Sequence, residues 1–137
     1  MLREKLAFKE IKAHQCYLGL PTYVGRSKKV VFNEVCDRVL KKLKGWKEKL
    51  LSKAGKEVLL KAVIQAIPMY TMQCFEFPRT LCDDLERLCG GFWWAQNVEN
   101  KRLAWMAWDK LSEPKREGGL GFRKSHHFNL AMLPKQC

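Results

Sequence analysis

Long apolar runs are missing from this 137-residue chain. Nothing in it approaches the roughly 18 uninterrupted apolar residues that a membrane-spanning helix needs, so no membrane partner is expected. The N-terminus, Met1-Leu2-Arg3-Glu4-Lys5, lacks the apolar core of a secretory signal, and Glu4 and Glu10 argue against a transit peptide. Paired cysteines are missing too. Cys16, Cys36, Cys74, Cys82, Cys89 and Cys137 contain no C-x2-C unit, and Cys82 and Cys89 match no common zinc spacing. His126 and His127 are adjacent and cannot both face one metal from a helix. Without a secretory signal, reduced thiols are the default. The cysteines therefore read as small apolar core groups, and no metal or other cofactor is expected. Collagen, porin and disulfide-scaffold classes drop out as well.

Catalytic signatures are equally scarce. There is no G-x-x-x-x-G-K-[ST], no G-x-S-x-G and no H-E-x-x-H. Asp83-Asp84 is the only adjacent acidic pair; it falls in the first turn of an expected helix, where acids complement the macrodipole. The remaining carboxylates are scattered, whereas polymerase or nuclease chemistry needs metal-binding carboxylates brought together. No catalytic residue is assigned, and an enzyme is not expected.

Acidic residues are the minority sign, and their scarcity is uneven. Lys and Arg number 26 against 14 Asp and Glu, a net charge of +12. Residues 1–61 hold 16 basic and 6 acidic groups, whereas 62–137 hold 10 and 8. Such a concentration attracts polyanions and releases counterions on binding; a lysine-rich surface kept for solubility is the plainer alternative. At 47% hydrophobic and 29% charged, the chain has the composition of one folded domain.

Aromatic and aliphatic groups over residues 17–24, broken by Gly19 and Pro21, suggest a short strand or hairpin edge. Phe32, Val35, Cys36, Val39, Leu40, Leu43, Trp46 and Leu50 then recur at helical spacing. They leave Arg38, Lys41, Lys42 and Lys49 on the opposite side. Gly45 is expected to loosen the last turns. Ser52 reads as the N-cap of a second helix, with Val58, Leu59, Ala62, Val63, Ala66 and Ile67 at core spacing. Ser52, Lys53, Gly55 and Lys56 converge at that helix start. A hydroxyl, two cations and a residue without a side chain at orphan N–H groups can hold a phosphate, or can simply cap a helix whose glycine packs on a neighbour. Pro68 ends or kinks this helix. Pro78 fits the start of a third, with Leu81, Leu85, Leu88 and Phe92 as its core stripe and Gly90-Gly91 as a weak point. Phe92-Trp93-Trp94 reads as core rather than as a base-stacking platform. Gly118-Gly119-Leu120-Gly121 is a turn-rich loop and a weak phosphate cradle. Phe128, Leu130, Ala131 and Leu133 suggest a last helix stopped at Pro134.

Five segments occur in order: residues 17–21 (YLGLP), 52–61 (SKAGKEVLLK), 67–70 (IPMY), 92–94 (FWW) and 118–123 (GGLGFR). Together they resemble the segment after the polymerase core in reverse transcriptases of plant LINE-type (non-LTR) retrotransposons. They are also similar to the retrotransposon-derived reading frames of plant mitochondrial genomes. The resemblance implies a single truncated domain over 1–137, with a primer-grip-proximal strand region at 9–26 and a helical, thumb-like region at 27–137. It implies that Tyr17, Leu18 and Gly19 form the grip-proximal strand. Ser52, Gly55 and Lys56 would present a helix start to the template–primer backbone. The family's catalytic aspartates belong to the palm, upstream of these motifs. Residues 124–127 (KSHH) depart from the family pattern, which has an acidic residue after the arginine and another beside the histidine. Pro134 and Cys137 stand where its helix runs on.

The expected fold is mainly α, a thumb-like bundle of three to four helices with a short N-terminal β element. The expected partner is an RNA–DNA or RNA duplex, held through its phosphates by Lys41, Lys42, Ser52, Lys53, Gly55 and Lys56. A reverse-transcriptase palm acting in trans and self-association through exposed tryptophans are further expectations. A structural relic that binds nothing specific is the alternative. No targeting signal is seen; mitochondrion and nucleus both remain open.

Overall fold

The computed structural model describes residues 16–17, 20–21, 28–47, 49, 51–95 and 104–136. It is mainly α, as expected, but with six α-helices among the described residues rather than three to four, because short helices fill the connections at Pro68 and after residue 104. At the N-terminal end, β1 (Cys16–Tyr17) pairs antiparallel with β2 (Leu20–Pro21), Cys16 opposite Pro21 and Tyr17 opposite Leu20. This is a two-residue ladder and the full extent of the strand structure among the described residues.

The helices follow in the order α1 (Lys28–Lys47), α2 (Lys53–Leu59), α3 (Met69–Cys74), α4 (Arg79–Trp94), α5 (Trp108–Ser112) and α6 (Ser125–Met132). A π-helical turn, Leu60–Ile64, prolongs α2, and 3-10 turns cover Lys115–Glu117 and Leu133–Gln136. The amphipathic stripe of α1 is real: Phe32, Val35, Val39 and Leu43 are buried, with Cys36, Leu40 and Trp46 partly so. This stripe lies along α4. Phe32 meets Phe77 just ahead of α4 at 4.7 Å between ring centroids, and Trp46 meets Phe92 near its far end at 6.2 Å. The two long helices therefore run parallel. On α4, Leu81, Cys82, Leu85, Cys89, Phe92 and Trp93 face the core.

Four local expectations change. Gly45 does not loosen α1, which continues to Lys47. Gly90-Gly91 does not weaken α4, which runs to Trp94. A Cβ on Gly90 would sit 3.6 Å from the Trp108 ring, an ordinary contact. Burial of Cys89, Phe92 and Trp93 around them outweighs the ~1 kcal/mol helix penalty of each glycine. On α2, Val58, Ala62 and Ala66 face outward, Val58 with 63% exposure, while Lys56, Leu60 and Ile64 are the buried positions. The face is already set before the π turn, where the buried Lys56 reaches the end of α4 and leaves Val58 on the outer side. On α6, Leu130 and Ala131 are exposed, and Asn129 and Met132 are buried instead.

Asn129 explains the register of α6. Its side chain is fully buried, with 0% exposure. Its Oδ1 accepts from the Phe77 N–H at 2.7 Å, and its Nδ2 donates to the Met72 and Phe75 carbonyls at 2.8 and 2.9 Å. One amide thus satisfies three backbone groups where the chain leaves α3 for α4, groups that would otherwise be buried without partners. At the start of α6, Glu86 of α4 accepts from the Ser125 N–H at 2.7 Å. Burial holds the Glu86 carboxyl above its usual range, and the Ser125 N–H works against that rise.

The glycine loop closes on itself. Gly119 and Gly121 donate to the Pro114 and Glu113 carbonyls at 3.2 and 2.9 Å, and Leu120 to the Leu111 carbonyl at 2.9 Å. A Cβ on Gly119 would lie 2.0 Å from the Glu113 oxygen, so only glycine fits. The loop thereby delivers Phe122 to a stack on Trp108 at 4.8 Å and an edge contact with Trp93 at 5.5 Å.

Asn129→Leu should lower the urea-unfolding free energy by at least about 3 kcal/mol, since it strands three buried backbone groups at about 1–3 kcal/mol each. Asn129→Asp, which keeps the acceptor for Phe77 and loses both donors, should also destabilise. Wild-type stability in the Leu variant would contradict this account.

Candidate nucleic-acid interface

The basic groups gather where α1 ends and α2 begins. Lys41, Lys42, Lys44, Lys47 and Lys49 are all exposed, and among the described residues none of the five is in an ion pair. Their placement follows from the α1 stripe: with residues 32, 35, 39 and 43 inward, positions 41, 42 and 44 must point out. Arg38 on the same helix is turned to Glu34 at 2.8 Å.

Ser52 caps α2 as expected. Its backbone is extended (φ −66°, ψ 161°), and its Oγ accepts from the Gly55 N–H at 3.1 Å. A Cβ on Gly55 would meet that oxygen at 3.4 Å, an ordinary contact, so the fold itself does not require glycine there.

Lys53 and Lys56, expected to face a phosphate, turn their ammonium groups to the end of α4, Lys56 as a buried residue and Lys53 as an exposed one. The Lys53 Nζ donates to the Trp93 carbonyl at 2.7 Å, and the Lys56 Nζ donates to the Ala95 carbonyl. Lys53 also lies 4.8 and 5.0 Å from the centroids of the Trp93 and Trp94 rings, and Lys56 lies 5.4 Å from that of Phe92. The Lys56 side chain is 7% exposed, and burial, followed by the charge on Lys53, holds its pKa below the usual lysine range. The reason for this geometry is at the end of α4. The last carbonyls of a helix have no intrahelical donor and carry the negative end of the macrodipole, and α2 starts beside them. Trp93 is buried and Trp94 partly so, which bears out their reading as core.

A third lysine acts in the same way. The Lys61 Nζ donates to the Leu120 carbonyl at 2.6 Å and to Glu57 at 2.7 Å, and Lys115 approaches the same carboxylate at 3.4 Å. The hydrogen bond from Lys61 is the main cause holding the Glu57 carboxyl below its usual range. Sequence reasoning missed Lys61, although its i, i+4 spacing from Glu57 was a readable signal.

Of the grip-proximal residues, Tyr17 lies in β1, while Leu18 and Gly19 fall outside the described residues. Among the described residues, no three metal-ligating side chains converge, and no helix is long and apolar enough to cross a membrane. Burial pushes the Cys82 and Cys89 thiols up to about 11 and about 12. These core thiols are poor nucleophiles at neutral pH.

Two relatives are found among curated proteins, both from Arabidopsis thaliana. The chain is 35% identical over 116 residues, 85% of its length, to the protein named "Putative ribonuclease H protein At1g65750". It is 42% identical over 72 residues, 52% of its length, to "Uncharacterized mitochondrial protein AtMg00310". The matched region spans 19% of the first relative and 47% of the second. No protein-family model and no solved structure matches the chain.

Ser52→Ala should cost about 1 kcal/mol of stability through loss of the cap. Gly55→Ala should be neutral or stabilise by up to about 1 kcal/mol. Chemical denaturation of both variants checks the pair; a strongly destabilised Gly55→Ala would mean that the glycine serves the fold.

Proposed function

We propose that this chain is a non-catalytic, thumb-like piece of a retroelement reverse transcriptase that binds the phosphate backbone of a template–primer duplex. The observation that carries the reading is the exposed lysine row at the end of α1, led by Lys41 and Lys42. Supporting it are the ordered motifs at residues 17–21, 52–61, 67–70, 92–94 and 118–123 and similarity to a relative whose name includes ribonuclease H. That name concerns a protein of which this chain matches 19%, and its activity is no part of the proposal.

In this reading, Lys41 and Lys42 contact phosphates together with the neighbouring Lys44, Lys47 and Lys49. Lys53 and Lys56 add positive field from within the same end of the bundle, while their ammonium groups hold the end of α4. Ser52 and Gly55 set the position of that end. Contacts of this kind fix register on a duplex without reading its sequence.

The test is affinity for an RNA–DNA hybrid across a salt series. Neutralising about five phosphates gives a log–log slope near −4 to −5 on a B-DNA scale. Lys41→Ala/Lys42→Ala should flatten that slope by about 2 while leaving helicity unchanged. Affinity independent of salt, or no binding by a folded wild-type chain, would favour the second reading, a structural relic. The exposed Trp105, at 82%, favours self-association in that case.

A further inference from the structure

Among the described residues, the large apolar side chain most open to solvent is Trp105, at 82% exposure. Ala104, Met106 and Ala107 beside it are exposed as well. Their position is set from the C-terminal side by Trp108, the first residue of α5. Its ring stacks on Phe122 at 4.8 Å and lies 3.6 Å from where a Cβ on Gly90 of α4 would be. Ala107 is extended (φ −63°, ψ 148°), so the residues before it leave the path of the helix. One tryptophan is thus anchored in the core, and another stands clear of it three residues earlier.

The last turns of α4 bring this tryptophan and the lysine row to one end of the bundle. Phe92 meets Trp46, which lies between Lys44 and Lys47 of α1, at 6.2 Å. Trp93 meets the Lys53 ammonium at 4.8 Å and Phe122 at 5.5 Å, and Phe122 carries Trp108. Trp105 is separated from Trp108 by no more than about 11 Å of extended backbone. Asp109, the nearest described carboxylate in sequence, is paired with Lys124 at 3.1 Å, whereas Lys110 is exposed and in no ion pair among the described residues. The apolar surface offered here is one indole ring and Met106 at 39% exposure. That is the size of a nucleobase, and far below the roughly 800 Å² per partner of a stable protein interface.

We propose that Trp105 is a stacking platform for an unpaired nucleobase, on a strand that runs on from the duplex held by the α1 lysines. This rests on the duplex reading, which supplies the strand. Every base has a π face, so one exposed aromatic ring accepts any of them without reading sequence. Lysines at the same end of the bundle hold the phosphates of the paired part. The two contacts together select a junction between paired and unpaired nucleic acid over either part alone.

The experiment compares the affinity of the full chain for a blunt RNA–DNA hybrid and for the same hybrid with a short single-stranded extension. Wild type should prefer the extended hybrid, and its tryptophan fluorescence should be quenched on binding it. Trp105→Ala, at an exposed position that should fold normally, should weaken the extended hybrid by about fivefold or more and leave the blunt one unchanged. Trp105→Phe, which keeps a π face, should retain most of the preference and lose the quenching. Equal wild-type affinity for the two hybrids would overturn the platform and leave the duplex reading standing. Trp105→Ala weakening both hybrids alike, or turning an oligomer into a monomer with the preference intact, would overturn it too. Lys41→Ala/Lys42→Ala should weaken both hybrids, so a row that proves idle while the extension still binds through Trp105 removes the duplex reading alone.

Discussion

The rest of the structure depends on two ammonium groups placed on the open end of a helix. At the close of α4 the backbone leaves carbonyls with no intrahelical donor, and the neighbouring rings of Phe92, Trp93 and Trp94 are large and apolar. Lys53 and Lys56 meet both needs: their charged ends satisfy Trp93 and Ala95, and they lie near the ring centroids. An apolar side chain would pack on the rings but leave the carbonyls without a donor. Because α2 is held there, it can only run back along α4. That direction brings Leu60 and Ile64 into the core.

Two further polar anchors close the other side. Asn129 gathers the backbone between α3 and α4, and Lys61 holds the glycine loop at Leu120. In each case a buried or half-buried polar side chain satisfies distant backbone, and Lys61 pairs with Glu57 as well. Buried polar groups of this sort fix one register because no neighbouring position offers the same partners. The lysines at positions 41, 42, 44 and 47 of α1 are exposed and in no ion pair among the described residues, which makes them candidates for phosphate contact.

Much of this architecture is legible in the sequence where periodicity is regular. The core stripes of α1 and α4, the Ser52 cap and the core placement of Trp93 follow from spacing and side-chain chemistry. Reading failed where a polar residue is structural. Val58, Ala62 and Ala66 look like core at 3.6 residues per turn, but the packed face is the one set by Lys56, Leu60 and Ile64. Asn129 looks like a surface residue because its three backbone partners lie 52 to 57 positions away in sequence. Lys53 and Lys56 carry the pattern of a phosphate site, a cation pair at a helix start, because nothing local reveals that another helix ends beside them. The lysine row at 41 and 42 was legible, since it depends only on the face opposite the stripe.

The most direct test of this account compares stability and duplex affinity in one variant, Lys53→Met/Lys56→Met, which keeps the aliphatic stems and removes both charged donors. The account predicts a loss of about 2–4 kcal/mol in unfolding free energy, from two charge-assisted bonds. It also predicts affinity for an RNA–DNA hybrid within about twofold of wild type, measured at a temperature where both proteins are folded, a change well under the ~1.4 kcal/mol of a tenfold effect. Unchanged stability with affinity abolished would contradict it, and would return these two lysines to the phosphate backbone.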